Sequence, residues 1–301
     1  MWVMPTNLLA RETLPAWILE TGAAHTRSRI KMGRLTAKVR ISLLQLAGYG
    51  LLGPIRSVSD PSLLHALQRF RYHVYIEQLG KSRPWANHGC RLLPDPDDGA
   101  AFHFLAGRHL DRPVGCVRLH LAAAMPTHAL QSMGIYDIAA SDGFRGAYIS
   151  MLMLDHTLRG RGAALFLMLR LLQFGWPRGM EYALFHCAPR LAPRYLKYGF
   201  ECLGEPFQSR HSGWQVPMIS LFGDCEAHQR RGSLVTPYLD PYRLPAARIS
   251  ELRRMYKIPA PGGNAASPKS EHILHRRGES ASANQLVGEC LHELARRQID
   301  L

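Results

Sequence analysis

Cysteine is scarce in this sequence, and no two cysteines have the spacing of a zinc knuckle or a dithiol redox pair. The sequence therefore predicts no metal site and excludes those two classes. No secretory signal is evident near the start, so we expect reduced thiols and a cytoplasmic location. The six cysteines are Cys90, Cys116, Cys187, Cys202, Cys225 and Cys290.

Long hydrophobic runs are also lacking. The longest, Ile41–Ile55, is too short to span a bilayer, and glycine and proline interrupt it. Walker, EF-hand, zinc-finger and G-x-S-x-G patterns do not occur, which excludes the sites that those patterns mark.

Acidic residues are few relative to basic ones. Lys and Arg number 37 against 23 Asp and Glu, a formal net charge of +14. Such a surface attracts nucleic acid, acidic lipid, a phosphorylated cofactor or an acidic partner protein, and charge alone does not choose among them. With 47% hydrophobic and 20% charged residues, the composition is that of a globular protein and excludes wholesale disorder.

Composition divides the chain into five segments. Residues 1–58 form a basic arm that we predict to be helical, either lying on an anionic membrane surface or packed on the main domain with its charges solvated. The main domain follows at 59–225, and an extension occupies 226–258. Pro, Gly, Ser, Ala and Asn dominate 259–285, which indicates a flexible linker, and apolar spacing predicts a C-terminal helix over 286–301.

The main domain alternates helices with apolar strands. Asp60 and Pro61 are typical of a helix start, and apolar residues at helical spacing extend that helix to about Leu79. This order predicts a mixed sheet with helices on its faces, an α+β arrangement in three layers. The predicted strands are Ala101–Ala106, Val114–Leu121, Ala147–Leu154, Met180–Cys187, Phe200–Leu203 and Gln215–Phe222, and the later helices are Ala164–Phe174 and Pro189–Tyr198.

The segment Arg159-Gly160-Arg161-Gly162-Ala163-Ala164, here called the glycine loop, carries the clearest chemical signal. It follows an apolar strand and leads into a helix. Glycines let backbone N–H groups turn inward, and a helix N-terminus adds partial positive charge, so the loop suits a pyrophosphate or similar anion. Its arginines can add charge-assisted contacts. A tight strand–helix turn with two solvated arginines is the alternative.

Two motifs in this frame resemble those of the GCN5-related N-acetyltransferase (GNAT) superfamily. Arg159, Gly162 and Ala164 match its pyrophosphate loop, Q/R-x-x-G-x-G/A, and Tyr195-Leu196-Lys197-Tyr198-Gly199-Phe200 matches its helix end, Y-x-x-x-G-F. The resemblance covers about Ser62 to Phe222. It implies a mainly antiparallel mixed sheet flanked by helices, N-acyl transfer from an acyl thioester and no tightly bound cofactor. It also implies donor binding by the glycine loop and by the strand end at Leu154.

Three further stretches resemble the GNAT branch of long-chain N-acyl amino acid synthases and acyl-homoserine-lactone synthases. They are Arg71–Glu77 (RYHVYIE), the acidic loop Asp95–Asp98 before Ala101–Leu105, and Gly115–Leu119 (GCVRL). The resemblance implies a long-chain acyl donor, either acyl carrier protein or acyl-coenzyme A, and an amino acid or similar amine as acceptor. The +14 charge favours an acidic carrier protein. Substrate-binding roles are implied for Arg71 and Arg118.

One departure from this branch lies on the strand before the glycine loop. Where the branch has E-x-S-R-L, this chain has Tyr148-Ile149-Ser150-Met151-Leu152. We consider Glu77, His103 and Tyr148 as general bases, and Tyr195 as the acid that protonates the leaving thiolate. Solvated or packed side chains are the structural alternatives for these positions.

Several alternatives stay open. Arg118 either recognises substrate or forms an ion pair with the acidic loop. His156 either contacts phosphate or is an ordinary loop histidine. Because of the departure at Tyr148 and Met151, a catalytically impaired protein that only binds acyl thioester is an open alternative. Because of the positive charge, a nucleic-acid-binding module is another, although the sequence contains no motif for nucleic-acid recognition.

Overall fold

The computed structural model describes residues 48–109, 111–209 and 211–259. The predicted arm up to residue 47, nearly all of the predicted linker and the predicted C-terminal helix lie outside the described residues. Within the described ranges, no helix is long and apolar enough to cross a membrane.

Eight strands form one sheet in the described chain. Its spatial order is β1-β2-β3-β4-β5-β8-β6, with β7 paired to β8. Neighbouring strands are antiparallel except β4 and β5, which are parallel. The prediction of a mixed, mainly antiparallel sheet flanked by helices is confirmed. The strands are β1 (Ile55–Ser57), β2 (Phe102–Ala106), β3 (Gly115–Leu121), β4 (Gly146–Leu154), β5 (Tyr182–Cys187), β6 (Glu201–Cys202), β7 (Phe207–Ser209) and β8 (Gly213–Ser220).

The helices begin and end largely where capping residues and apolar spacing indicate. At the start of the first helix, the Asp60 carboxylate accepts hydrogen bonds from the N–H groups of Ser62 and Leu63, each at 2.9 Å. That helix passes directly into a π-helical turn, His73–Gln78, which occupies most of the remaining predicted helix. Residues 48–52 are also helical. The α-helices are α1 (Pro61–Tyr72), α2 (Thr127–Ser132), α3 (Tyr136–Ser141), α4 (Ala163–Gly175), α5 (Ala192–Leu196), α6 (Cys225–Arg230) and α7 (Ala246–Met255).

The two faces of the sheet pack against different helices. On one face, Phe185 belongs to a core with Leu167 of α4. On the other, Leu105 packs in a cluster with Leu67 of α1, and Leu184 packs in a second cluster with α2, α3 and α7. Alternation along the strands also directs polar side chains to this second face. They are His103, Arg118, His120, Tyr148 and His186.

Strands β4 and β5 stay paired only near their starts. Their register ends at the pair Tyr148 and Leu184. β4 nevertheless continues to Leu154 beside β3, through a bulge in which Met151 has a left-handed φ of 52°. A left-handed methionine is an uncommon and strained backbone state, of the kind found near functional sites. Beyond Tyr148 the facing edges of β4 and β5 are not paired with each other, and this unpaired stretch is called here the β4–β5 opening.

Several elements differ from the sequence prediction. Ile55–Ser57, placed by the sequence in a helical arm, is a strand that pairs with β2. The extension after residue 225 packs on the sheet: Arg253 of α7 is nearly buried and its guanidinium contacts Asp224 and Glu201. The strand Ile55–Ser57 is only three residues long, and Arg253 is charged. Composition alone therefore did not indicate that either segment packs against the rest of the domain.

We expect Gly146→Ala to be unusually destabilising for a glycine in ordinary strand geometry. A Cβ at Gly146 would lie 2.1 Å from Cε2 of Tyr182, whose ring is fully buried and whose hydroxyl accepts a 2.7 Å hydrogen bond from Tyr256. The free energy of unfolding, measured with urea, should fall by about 1–3 kcal/mol. Gly99→Ala, whose Cβ would meet nothing within 4 Å, is the matched control. Equal stabilities of the two variants would contradict the packing argument.

Candidate functional site

The glycine loop connects the end of β4 to the start of α4. The Asp155 carboxylate accepts a 3.0 Å hydrogen bond from the N–H of Thr157 and so begins a short turn before the loop. Gly160 and Gly162 have φ values of 83° and 78°, in the left-handed region that glycine adopts without a Cβ penalty. Gly162 is also the residue from which α4 begins.

The backbone donors of the glycine loop are available to a ligand. Gly160, Arg161 and Gly162 are exposed and Ala164 is half-buried, whereas Ala163 is fully buried. Among the described residues the N–H groups of Gly160, Gly162, Ala163 and Ala164 donate to no protein acceptor. The first turn of α4 carries no acidic side chain. The positive end of the helix dipole is therefore uncompensated and open to solvent, which is an arrangement suited to phosphate.

The two arginines of the loop have different surroundings. Arg159 is half-buried: its Nε donates to the carbonyl of Leu154 at 3.0 Å, and its guanidinium also donates to Gln78. Gln78 in turn donates to Asp155 at 2.9 Å. Arg159 thus ties the loop to the π-helical turn, whereas Arg161 is exposed and available to an anion.

His156 lies at the same junction. It is exposed, and its Nδ1 is 3.2 Å from the amide nitrogen of Gln78 and 3.4 Å from the Asp155 carboxylate. A position beside the loop is thus observed, and a role in phosphate contact remains a prediction.

Arg71 and Arg118, implied to bind substrate, form a buried network with the acidic loop. Arg71 is fully buried and contacts both carboxylate oxygens of Asp98, at 2.9 and 2.8 Å. Arg118 donates to Asp95 at 2.6 Å and to Asp98 at 3.0 Å, and Asp97 lies 3.6 Å away. Both guanidinium groups are thus occupied by carboxylates, which favours the ion-pair alternative over substrate recognition.

His103 is part of the same network and is poorly suited to act as a base. Arg71 donates to its Nδ1 at 3.1 Å, so Nε2 carries the proton and donates to the carbonyl of Asp98 at 3.2 Å. Burial and the charge of Arg71 lower the pKa of His103 to about 4. With both ring nitrogens engaged, the imidazole supports the fold of the acidic loop.

The Glu77 carboxylate is also engaged by other side chains. It lies on the π-helical turn, 2.7 Å from Nδ1 of His73, and accepts a hydrogen bond from Nε of Arg91 at 2.9 Å. Hydrogen bonds from His73 and Arg91 lower the pKa of Glu77 below its usual range. A carboxylate held ionised by two partners is a weak base, so the geometry does not support the role considered for it.

Tyr148 lies between two histidines on neighbouring strands. Its hydroxyl is 3.1 Å from Nδ1 of His186 on β5, and its ring centroid is 6.2 Å from that of His120 on β3. Burial raises the pKa of the Tyr148 phenol. Tyr148 alone is therefore not a base at neutral pH, but its hydroxyl can pass a proton to a neighbouring group. His120, Tyr148 and His186 are called here the polar row.

Tyr195 lies among aromatic rings at the end of α5. It is half-buried, with its ring centroid 4.4 Å from that of Phe185, and among the described residues its hydroxyl has no hydrogen-bond partner. Burial, followed by the neighbouring Cys187 thiol, raises the pKa of Tyr195. The phenol is therefore protonated at neutral pH and can donate a hydrogen bond.

The sequence interpretation missed His120 and His186. Both occur in largely apolar strands, GCVRLHL and YALFHC, and both are on the face that carries Tyr148. A histidine inside an apolar strand was the available signal. Only strand register brings the three residues together, because Tyr148 is paired with His120 and with Leu184, two residues before His186.

No protein-family model and no curated protein matches the sequence. Solved structures that resemble the chain include FeeM, an N-acyl amino acid synthase from uncultured soil microbes: identity is 16%, coverage is 62% of this chain and 98% of that one, and the TM-score is 0.46. MesI, a CoA-dependent acyl-homoserine lactone synthase, is 18% identical, with coverage of 69% of this chain and 97% of that one and a TM-score of 0.43. An acyl-CoA N-acyltransferase from Pseudomonas aeruginosa is 16% identical, with coverage of 56% of this chain and 99% of that one and a TM-score of 0.40. The names of FeeM and MesI are those of the two kinds of synthase in the branch that the sequence motifs resemble. At these identities the likeness concerns the fold alone.

We expect Asp98→Asn to destabilise the protein by about 3–5 kcal/mol, because it leaves the buried guanidinium of Arg71 without its carboxylate. Asp97→Asn is the matched control: Asp97 is the more exposed carboxylate and lies 3.6 Å from Arg118, so its loss should cost less than about 1 kcal/mol. Urea unfolding measures both. A similar cost for the two variants would contradict the assignment of Asp98 as the central carboxylate.

The same network predicts acid sensitivity. Burial acts to raise the pKa of Asp98, but Arg71, His103 and Arg118 outweigh it, and the pKa lies below the ordinary value of 3.8. Because the folded-state pKa is the lower one, the stabilisation is complete above the unfolded-state pKa and is lost as pH falls through the folded-state value. The urea concentration at the unfolding midpoint of the wild type should decrease as the pH is lowered below about 4. The midpoint of Asp98→Asn should decrease less over the same pH range. Parallel pH curves would argue against this source of stability.

Proposed function

We propose that this protein is an N-acyltransferase that moves an acyl group from a thioester to the amine of an amino acid or similar small molecule. One observation carries the proposal. The glycine loop presents unpaired backbone donors at the N-terminus of α4, directly beyond the bulged end of β4. Phosphate recognition at that position would hold an activated acyl group beside the β4–β5 opening.

The opening supplies a second element of the proposal. Beyond Tyr148, β4 has no register with β5, so its backbone on that side is available to an extended ligand. A phosphopantetheine arm carries amides that can pair with a strand edge as a peptide does. Phosphate at the glycine loop and an arm along β4 would direct the thioester carbon toward the polar row.

Two groups could assist the chemistry at the thioester. Backbone N–H groups near the bulge, over Leu152–Leu154, are the candidates for donors to the oxyanion that forms when the amine attacks. The Tyr195 hydroxyl, protonated at neutral pH, is the candidate that donates to the thiolate as it leaves.

The donor we favour is a long-chain acyl carrier protein, with acyl-coenzyme A as the alternative. Both present a phosphate to the loop, so the loop does not distinguish them. The net charge of +14 would attract an acidic carrier protein. Basic side chains also cluster near the π-helical turn: burial, together with the charges of Arg83 and Arg190, lowers the pKa of Lys81.

A second candidate function has one observation in its favour. Tyr148 and Met151 occupy positions where the similar branch has glutamate and arginine, and Met151 lies in a strained bulge. A protein that binds acyl thioester without transferring the acyl group fits this substitution. Release of free thiol separates the two candidates, because binding alone produces none.

Mass spectrometry of lipids from cells that express the protein tests the proposal directly. A new acyl amide, absent from cells with the empty vector, would identify the acyl chain and the acceptor together. Purified protein should then release thiol from palmitoyl carrier protein or palmitoyl-coenzyme A when that amine is present. Donor binding with neither amide nor thiol release would support the second candidate function.

We expect Ala164→Glu to weaken donor binding at least about tenfold while leaving the fold intact. A carboxylate in the first turn of α4 repels phosphate but interacts favourably with the helix dipole. Because Ala164 is only half-buried beside the core, unfolding stability should fall little. Gln131→Glu, an exposed change of equal charge on α2, is the control. Titration of palmitoyl-coenzyme A by calorimetry measures the difference, and equal affinities would remove the loop from donor binding.

Tyr195→Phe should slow thiol release at least about tenfold with donor affinity unchanged, because only the proton donor is removed. Tyr198→Phe provides a matched loss of one hydroxyl from a buried tyrosine at the same helix end. Stopped-flow thiol detection compares both with the wild type. Equal rates for the Tyr195 variant and the wild type would end its assignment as the acid.

A further inference from the structure

We propose that the acceptor amine binds at the polar row and that His186 takes its proton by way of the Tyr148 hydroxyl. The inference rests on the proposed acyltransferase function and identifies the acceptor site and the base of that reaction.

Burial of the polar row destabilises the fold unless its polar atoms have hydrogen-bond partners. His120 and Tyr148 are 1% and 4% exposed, on strands that are otherwise largely apolar. A buried polar group without a partner destabilises a fold by roughly 1–3 kcal/mol. The acidic loop accounts for only one polar atom of the row, the Nε2 of His120.

His120 presents an unsatisfied acceptor. Its Nε2 is 2.8 Å from the carbonyl oxygen of Asp97, which can only accept, so Nε2 carries the proton. Burial lowers the pKa of His120, so Nδ1 keeps a free lone pair. Among the described residues, no group donates to that buried Nδ1. An N–H donor from a ligand would satisfy it, and an amine or ammonium supplies one.

On the other side of Tyr148, His186 is a neutral acceptor. Burial, with a smaller effect of His128, lowers its pKa to about 4. Its Nδ1 is 3.1 Å from the Tyr148 hydroxyl, and the ring of Phe207 lies edge-on at a centroid distance of 5.3 Å. No described carboxylate contacts the imidazole. Unlike His103, whose two ring nitrogens are both engaged, His186 has the Tyr148 hydroxyl as its only hydrogen-bond partner among the described residues. Its low pKa makes it a transient proton carrier, which accepts the Tyr148 proton briefly and releases it readily to solvent.

The surrounding charge favours a cationic ligand. Three carboxylates of the acidic loop face two guanidinium groups, those of Arg71 and Arg118. One carboxylate is therefore in excess of the guanidinium groups beside the row, and the exposed imidazole of His128 lies 3.6 Å from Asp97. Asp97 is the most exposed of the three, and its carbonyl is the one bonded to His120. A primary ammonium fits this balance better than a carboxylate or phosphate does.

The position of the row suits attack on the thioester. Tyr148 and Leu184 form the last register pair before β4 and β5 diverge. An amine held between His120 and Tyr148 would lie at the start of the β4–β5 opening, where the proposed donor arm runs.

The proton and bond changes balance without a further reactant. An N–H bond of the ammonium breaks and its proton passes to the Tyr148 oxygen, while the Tyr148 proton passes to Nδ1 of His186. The free amine pair then forms the C–N bond and the C–S bond breaks. The nitrogen loses its second proton to solvent, Tyr195 donates a proton to the leaving thiolate and is reprotonated from solvent, and His186 returns its proton to solvent, so that one proton is released for each amide and thiol formed.

Amine binding is tested without turnover. Full-length protein with ¹⁵N-labelled histidine is titrated with n-butylammonium chloride, with potassium chloride as the salt control. We expect the Nδ1 resonance of His120, which is assigned by its absence from the spectrum of His120→Gln, to shift saturably with butylammonium only. No shift, or an equal shift with potassium, would overturn the amine site.

The role of His186 is tested by turnover, with the acyl-thioester donor and the amine that the lipid analysis identifies. Tyr148→Phe and His186→Gln should each lower thiol release about 10²-fold at pH 7, with donor affinity unchanged. Both should recover as pH rises toward the pKa of the amine, because free amine needs no base. His65→Gln, an exposed histidine on α1, is the control. Unchanged rates in the variants, or a loss that persists at high pH, would overturn the relay.

These experiments separate the two proposals. Thiol release by the wild type with unaffected Tyr148 and His186 variants refutes the relay and leaves the acyltransferase function standing. Saturable amine binding with no thiol release or acyl amide from the wild type refutes the function and leaves the amine site standing.

Discussion

The short parallel contact between β4 and β5 is the constraint on which the rest of the site depends. It ends at Tyr148 and Leu184, while β4 continues to Leu154 through a bulge. Without that divergence, the strand would be paired along both edges and could offer no backbone to a ligand. The ring of Tyr182, packed over Gly146, holds the start of this contact in place.

The divergence separates two chemically different environments. Beyond the end of β4, the glycine loop and the first turn of α4 present backbone N–H groups to solvent, which suits an anion. On the face that α1 covers in part, the acidic loop has one carboxylate more than the buried guanidinium groups it meets. An anionic donor and a cationic acceptor would thus be attracted to different sides of one opening.

Much of the fold could be predicted from local patterns, because each pattern reflects a local energy. Asp60 and Pro61 begin α1 as capping predicts, and the long apolar runs are strands within a few residues of the expected ends. Short polar elements such as Ile55–Ser57 and Phe207–Ser209 were not predicted. Their stability comes from pairing with β2 and β8 and not from their own composition.

For the site, the sequence by itself determined the glycine loop: two glycines after an apolar strand, and a helix that begins without an acidic residue, require only neighbouring residues. Tertiary structure decided the roles of the side chains farther apart. It joined Arg71 and Arg118 to the acidic loop, engaged both nitrogens of His103, and aligned His120, Tyr148 and His186 across three strands. Strand register and burial determine which polar atoms find partners and which pKa values shift, and both depend on residues distant in the chain.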